Sequence, residues 1–229
     1  MKKIFSNISG PVFSIITPFL KNGNIDYQTL FKNLKYYYRC NVRIFYLMLY
    51  NSRLGLMSDK EIHQLNFKIA NYLKKNFADT LFIGAERFEG SSKETIVRIN
   101  NLAKSGVDIF SVILGEKYYN DKQVLSHFKY LNDHSKLPLL LHLQMMMNGH
   151  GTKPPVVDYN LALTDKICSL NNFVSIKEDA KKYNFTIKLI KKIKNKVKII
   201  RAGGGMSAWS KFSKLGCHSW LVGIELIDP

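Results

Sequence analysis

The sequence predicts an α/β fold, a TIM (β/α)8 barrel, and three observations support this expectation. Short apolar runs of strand length recur eight times along 229 residues, and longer segments with helical periodicity separate them. The runs are apolar at nearly every position, which is typical of parallel strands buried on both faces. At 46% hydrophobic residues, the chain can also bury one substantial core. We therefore expect a single barrel domain over residues 1–229.

The eight apolar runs set the expected strands. An open doubly wound sheet is the alternative, but it would carry a glycine-rich turn after the first strand, where this chain has TPFLKNG. Because the last run lies close to the C-terminus, we expect the barrel to end after strand eight and to lack helix eight. The predicted strands cover residues 12–19, 44–50, 81–86, 109–115, 137–143, 173–178, 197–203 and 217–224.

Capping boxes mark where helices begin between the strands. Ser58 can accept a hydrogen bond from a free backbone N–H while Glu61 reaches back to the cap, and Ser91 with Glu94 repeats the arrangement. Asp26 precedes another segment of helical period. These positions predict helices that follow the first three strands.

The composition argues against several classes of protein. The net charge is +17, but only six of 34 basic residues are Arg, the side chain suited to bidentate phosphate and base recognition, so we expect no nucleic-acid partner. Cys40, Cys168 and Cys217 lack disulfide or zinc spacing, and we expect no metal site. No run reaches the ~18 to 20 apolar residues of a membrane span, and no signal peptide is visible. We expect a cytoplasmic protein without membrane contact.

Lys177 stands out because it ends the sixth apolar run. The active sites of such barrels form at the C-terminal ends of the strands. A free lysine titrates near pH 10.4, so an amine that attacks a carbonyl at neutral pH must be desolvated or lie beside other cations. An apolar strand that delivers Lys177 to the barrel mouth supplies desolvation. The competing interpretation is an ordinary solvated strand end.

The order of motifs resembles a known family. ITPF followed by GNID, the MSDKEI helix entry, KETIVRINNLAKSGVD, KLPLLLH, VSIKED and the final GCHSWLVG run in the same order as in the dihydrodipicolinate synthase and N-acetylneuraminate lyase family. That family consists of class I Schiff-base aldolases and lyases on a TIM barrel, and its members carry further helices after the barrel. The resemblance covers nearly the whole chain and implies an enzyme that acts on pyruvate or another 2-keto acid.

The resemblance assigns catalytic roles to two residues. Lys177 falls on the lysine that joins the keto carbon as a Schiff base, a chemistry that needs no metal or other cofactor. His142 falls where the family has a proton-relaying tyrosine. Histidine can move a proton near neutral pH, so the exchange is compatible with catalysis. A histidine packed in the barrel top for structural reasons is the open alternative.

The resemblance also implies where the substrate binds and how the chain associates. The turn after strand two, which holds the carboxylate in the family, is LYNSR here, so Asn51, Ser52 and Arg53 are the expected carboxylate ligands. Thr17 and Gly203 are expected to line the same site. The family often forms dimers or tetramers, and we expect a homo-oligomer.

Two other functions stay open at this level. A barrel that keeps the lysine but has lost turnover would bind a keto acid as a sensor, and the altered strand-two turn favours this reading. The glycines in RAGGG, from Gly203 onward, could instead offer backbone amides to a phosphosugar.

Overall fold

The computed structural model describes residues 8–87, 90–114, 120–143, 147–148, 152–155, 159–179, 183–202 and 205–222. Eight parallel strands close into a barrel with the order β1-β10-β9-β8-β5-β4-β3-β2, which confirms the predicted TIM barrel. The barrel strands are β1 (Gly10–Ser14), β2 (Ile44–Tyr46), β3 (Leu81–Gly84), β4 (Ile109–Val112), β5 (Leu139–Leu143), β8 (Phe173–Glu178), β9 (Lys198–Arg201) and β10 (Ser219–Val222).

Two further strands lie outside the barrel. β6 (Met147–Asn148) and β7 (Thr152–Pro155) pair antiparallel within the stretch between β5 and the next helix. The single-domain boundaries at 1–229 and the missing eighth helix stay predictions, because the residues after 222 lie outside the described part.

Helices follow the strands in regular alternation. Among the described residues they are α1 (Tyr27–Arg39), α2 (Asp59–Asn76), α3 (Ser92–Ala103), α4 (Asp121–His134), α5 (Leu161–Cys168), α6 (Tyr183–Ile193) and α7 (Gly205–Leu215). None of these helices has the length and apolar character that crossing a membrane requires.

The predicted helix caps are present. Ser58 and Ser91 each accept from the backbone N–H three residues on, and Glu61 and Glu94 each bond back to the cap, so both capping boxes are confirmed. Asp26 caps α1 by accepting from the Thr29 N–H at 3.0 Å. Caps of this kind stabilise a helix by about 1 kcal/mol.

The barrel interior is built in layers. Side chains from alternate strands meet at one height, and a layer advances two residues in register for every second strand. We followed the register of the observed strand pairs around the closed barrel, moving two residues along the chain at every second strand. The path closes on itself through four inward positions, which we call the upper layer: Tyr46, Ser111, Lys177 and Leu221.

The upper layer departs from ordinary barrel packing. Branched apolar residues usually fill these layers, and Ile44, Ile83, Leu140 and Ile200 do so in the apolar interior cluster to which Tyr46 also belongs. The upper layer instead carries a phenol, a hydroxyl and an amine. Buried polar groups of this kind are retained where they have partners, so the layer marks the place to look for a site.

A glycine lets α2 approach the end of β3. A Cβ added at Gly84 would lie 2.6 Å from Oδ1 of Asn66 and 2.9 Å from a methyl carbon of Val107. The Asn66 side chain, which is fully buried, donates from Nδ2 to the carbonyl of Ala85 at 2.8 Å and to that of Ile62 at 2.9 Å. Because position 84 has no side chain, Asn66 can come close enough to bond to the Ala85 carbonyl, and this bond holds the segment that leads to Glu86.

Candidate active site

Lys177 lies inside the barrel near the C-terminal end of β8. Its side chain is only 2% exposed, and Nζ lies 2.6 Å from Nε2 of His142 and 2.8 Å from Oδ2 of Asp179. Burial lowers the pKa of the amine, and the Asp179 carboxylate opposes this effect without cancelling it. The prediction that strand six delivers Lys177 to the interior of the barrel mouth matches this geometry.

His142 lies on the neighbouring strand at the same height. It is the register partner of Lys177 across β5 and β8, and its side chain is 1% exposed. Burial, helped by the nearby Lys177 charge, lowers the pKa of the imidazole to about 4, while Asp179 acts in the opposite direction. The ring is therefore neutral at physiological pH and can accept a proton at one nitrogen.

Asp179 completes the contacts around the amine. It follows β8 directly, and its Oδ2 also lies 3.7 Å from Nε2 of His142. Burial raises the pKa of this carboxyl, but the nearby His142 imidazole and the charge and hydrogen bond of Lys177 outweigh it and hold the pKa below its usual range. Asp179 is thus an anion at a site where a cation would form.

Two hydroxyl groups support the far side of the imidazole. The Tyr46 hydroxyl lies 3.4 Å from Nδ1 of His142 and 2.5 Å from Oγ of Ser111. Both residues belong to the upper layer, and burial raises the pKa of the phenol, which stays protonated. A continuous polar chain therefore runs from Lys177 through His142 to Ser111.

The turn after β2 contains the sequence-predicted carboxylate ligands. Ser52 is fully buried, and its hydroxyl donates to the Ile15 carbonyl at 2.5 Å and accepts from the Met48 N–H at 2.8 Å. The Thr17 hydroxyl donates to the Ser52 carbonyl at 2.8 Å. These bonds tie the turn to the segment after β1, so both hydroxyls have structural partners already.

The remaining predicted ligands differ in their placement. Arg53 is exposed and adopts a left-handed conformation with φ of 60°, and Asn51 is half-buried in the same turn. Gly203 lies outside the described residues, so the alternative hypothesis that its backbone helps to bind a phosphosugar stays a prediction. The structure brings Lys177 and His142 together, whereas no contact joins Asn51, Ser52, Arg53 or Thr17 to them among the described hydrogen bonds.

A cleft opens beside the polar chain. Tyr46, Ser111 and His142 line it together with Glu86, which follows β3. The Glu86 side chain is 5% exposed and lies 3.6 Å from Nδ1 of His63. Burial raises the pKa of Glu86 to about 7, although Arg98 opposes the shift. Within the described residues, no three His, Cys, Asp or Glu side chains form a group that could hold a metal ion.

Several of these groups could not be singled out from the sequence. Tyr46 and Ser111 stand inside apolar runs, where a tyrosine or serine is normally part of the core. Asp179 follows a strand, where a charge is usually solvated. The signal that could find them is the two-residue period of the inward face, which places Tyr46 and Ser111 among interior positions.

The amino-acid sequence is similar to that of one curated enzyme. No family sequence model matches the chain. The 4-hydroxy-tetrahydrodipicolinate synthase of Clostridium novyi (strain NT) is 24% identical over 173 residues, which make up 74% of this chain and 53% of that relative. The match thus spans about half the length of the curated relative.

Solved structures of this family have the same fold as the chain. A chloride-inhibited dihydrodipicolinate synthase from Acinetobacter baumannii, complexed with pyruvate, superimposes with a TM-score of 0.78 at 21% identity, covering 94% of this chain and 70% of that one. The N-acetylneuraminate lyase of Fusobacterium nucleatum gives a TM-score of 0.76 at 12% identity over the same shares. The resemblance that the motifs predict is therefore confirmed, and the chain has the fold of the dihydrodipicolinate synthase and N-acetylneuraminate lyase family.

Proposed function

We propose that this chain is a class I aldolase or lyase in which Lys177 forms a Schiff base with pyruvate or another 2-keto acid. The observation that carries the proposal is the buried amine of Lys177, held between an imidazole nitrogen at 2.6 Å and a carboxylate oxygen at 2.8 Å. The relatives named as synthases and lyases support the same class of reaction.

The first step is attack of the neutral amine on the ketone. The nitrogen lone pair bonds to the keto carbon, and the C=O electrons become an alkoxide that takes a proton from solvent and gives a carbinolamine. The surplus proton on nitrogen passes to Nε2 of His142, the closest base to Nζ. Loss of water from the carbinolamine, with a proton returned from the imidazolium to the leaving oxygen, gives the iminium.

The iminium is the electron sink for carbon–carbon chemistry. Removal of a proton from the adjacent carbon gives an enamine, which can attack an aldehyde, and the reverse sequence cleaves a bond. Asp179, whose carboxylate lies 2.8 Å from Nζ, stabilises the positive charge on that nitrogen. Because the iminium itself accepts the electrons, the sequence of steps requires neither a metal nor an organic cofactor.

The substrate carboxylate needs hydrogen-bond donors or a cation near the turn after β2. The Ser52 hydroxyl is used within the fold, so we assign the carboxylate to Asn51 and Arg53, with Thr17 and Gly203 lining the site. Arg53 offers an exposed guanidinium that can bind a carboxylate bidentately.

Reductive trapping tests the proposal. Borohydride added with pyruvate should convert the iminium to a stable secondary amine, and mass spectrometry should find the added mass on the peptide that contains Lys177. Lys177→Arg should abolish labelling, since a guanidinium stays protonated. Lys191→Arg on the exposed face of α6 is the matched control and should label as the wild type does. An unlabelled Lys177 in folded protein with pyruvate and several larger 2-keto acids would rule the proposal out.

A further inference from the structure

The hydrogen atoms on the polar chain can be arranged in two ways. A neutral imidazole carries one N–H, so His142 donates either from Nδ1 toward Tyr46 or from Nε2 toward Lys177. The 2.5 Å contact between Tyr46 and Ser111 likewise holds one hydrogen. Because the groups are linked in series, the position of one hydrogen favours one position for each of the others.

The two arrangements differ in what they leave at the amine. If Nδ1 of His142 carries the hydrogen, Nε2 accepts from Lys177, whose two hydrogens then point to His142 and Asp179. The lone pair of the neutral amine faces away from both and is free to attack. If Nε2 carries the hydrogen, it donates to that lone pair and blocks it.

The chemistry of the hydroxyl pair favours the first arrangement. A phenol is a stronger acid than an aliphatic hydroxyl, so Tyr46 is the better donor and Ser111 the better acceptor in their 2.5 Å bond. With its own hydrogen directed at Ser111, the Tyr46 oxygen faces Nδ1 of His142 as an acceptor at 3.4 Å. The long distance makes this a weak bond, but burial leaves both groups without water as a substitute.

We propose that Tyr46, with its hydrogen bonded to Ser111, is a positioning residue that holds His142 as the Nδ1–H tautomer and so keeps the Lys177 lone pair free for attack. The inference rests on the proposed function for its catalytic meaning, but the tautomer can be measured without any substrate. Ser111 acts through Tyr46 and touches neither the imidazole nor the amine among the described hydrogen bonds, which makes it the informative position to change.

The tautomer test uses 15N-histidine NMR on the full chain near pH 7. Wild-type His142, assigned by comparison with His142→Asn, should show a protonated Nδ1 and an unprotonated Nε2. Ser111→Ala removes the acceptor of the phenol, which then donates to Nδ1 and moves the ring hydrogen to Nε2. Ser111→Thr restores a hydroxyl and should recover the Nδ1–H signal. Ser219→Ala, which removes another buried hydroxyl from the barrel, should leave the signal unchanged.

The rate of pyruvate adduct formation gives the second readout. Ser111→Ala should slow borohydride-trappable adduct formation roughly tenfold, the lower end of the loss found when a metal-binding histidine loses the partner of its other ring nitrogen. Saturation should occur at a similar pyruvate concentration, since no substrate contact is removed, and Ser111→Thr should recover most of the rate. Tyr46→Phe should show mixed tautomers and a similar slowing.

The outcomes separate this inference from the proposed function. A wild type that forms no adduct but shows the tautomer change in Ser111→Ala contradicts the proposed function and supports the assignment of the hydrogen-bond chain. A wild type that labels at Lys177 while Ser111→Ala keeps both the Nδ1–H tautomer and the adduct rate overturns the positioning role. A tautomer that changes equally in Ser219→Ala overturns it as well.

Discussion

Lys177 and Glu178 are adjacent residues of one strand, both charged in water and both fully buried, yet they face opposite sides of β8. Lys177 points into the barrel, where its partners are a neutral imidazole and a partly exposed carboxylate. Glu178 faces the helix layer, where it pairs with Arg201 at 3.0 Å and accepts from the Thr186 hydroxyl at 3.0 Å. Burial of a charge therefore does not by itself identify a reactive site.

The difference between the two residues lies in how completely their charge is matched. Arg201 also donates to the carbonyls of Glu178 and Ala202, so the outward pair belongs to a hydrogen-bond network that joins β8, β9 and α6. The inward amine of Lys177 contacts one anion, Asp179, whose side chain is 26% exposed and therefore also hydrated by water. Removing one partner of the outward pair would leave an uncompensated buried charge, whereas an incompletely matched amine can lose its proton and react.

The largest expected effect comes from breaking the outward network. Glu178→Gln leaves the Arg201 cation buried without its anion, and we expect a loss of about 3 to 5 kcal/mol in the free energy of unfolding, measured with urea. Asp59→Asn is the matched surface control: its 2.8 Å contact with Arg87 is largely exposed and should contribute less than about 1 kcal/mol. Equal losses in the two variants would contradict the comparison.

Glu86 is a third buried ionisable residue, and its raised pKa predicts a pH dependence of the unfolding free energy. Its folded pKa, about 7, lies above the unfolded value, so the stability it contributes is present below the unfolded pKa and declines as the pH rises through 7. Unfolding free energy should therefore fall by roughly 3 kcal/mol between pH 4.5 and pH 8 because of this group. Glu86→Gln should flatten that part of the profile. An unchanged slope in the variant would mean that another group titrates.

His142→Asn measures how much the imidazole beside Lys177 contributes to turnover. Asn keeps much of the shape but cannot take a proton, so turnover should fall by about 10² and adduct formation should slow, while trapping at Lys177 still reaches completion. His134→Asn, at an exposed position at the end of α4, serves as the control and should behave as the wild type does. Near wild-type turnover in His142→Asn would place the proton transfer elsewhere.

The smallest effect concerns the stability contribution of Lys177 itself. Lys177→Met replaces a buried amine with an apolar side chain of similar length, and we expect unfolding free energy to rise by about 1 kcal/mol near pH 7 while trapping is lost. Because burial lowers the pKa of Lys177, the native state binds fewer protons there than the unfolded chain, so wild-type stability should increase as the pH approaches about 10.4. The methionine variant should lack that increase. A strongly destabilised variant would make Lys177 a structural residue like Glu178.

The sequence predicts the fold well because its signals are local. Runs buried on both faces lack polar positions, and cap side chains bond within three residues, so strands and the first three helix starts can be read directly. Strand ends are harder to predict: the apolar run at 12–19 predicts one strand, whereas β1 ends at Ser14 and the chain then turns to meet Ser52. The short hairpin of β6 and β7 is not among the eight predicted strands.

The site is only partly readable because its contacts are distant along the chain. Lys177 and His142 interrupt apolar runs and can be recognised, but the bond from Tyr46 to Ser111 joins positions 65 residues apart. Ser52 shows the reverse problem, since a hydroxyl expected at the substrate forms two bonds with the backbone instead. Such choices depend on the register of the barrel, which no short motif records.

Gly84 has a consequence for how this protein tolerates mutation. It carries no functional group, yet any side chain there must displace Asn66 or Val107. Asn66 belongs to α2, the helix that also carries His63 beside Glu86, and it anchors the carbonyl of Ala85 just before that acid. Selection for the cleft would therefore act on the volume available at position 84 as well as on the chemistry of the residues that line it, because a methyl group there would disturb the helix and the strand end that carry His63 and Glu86.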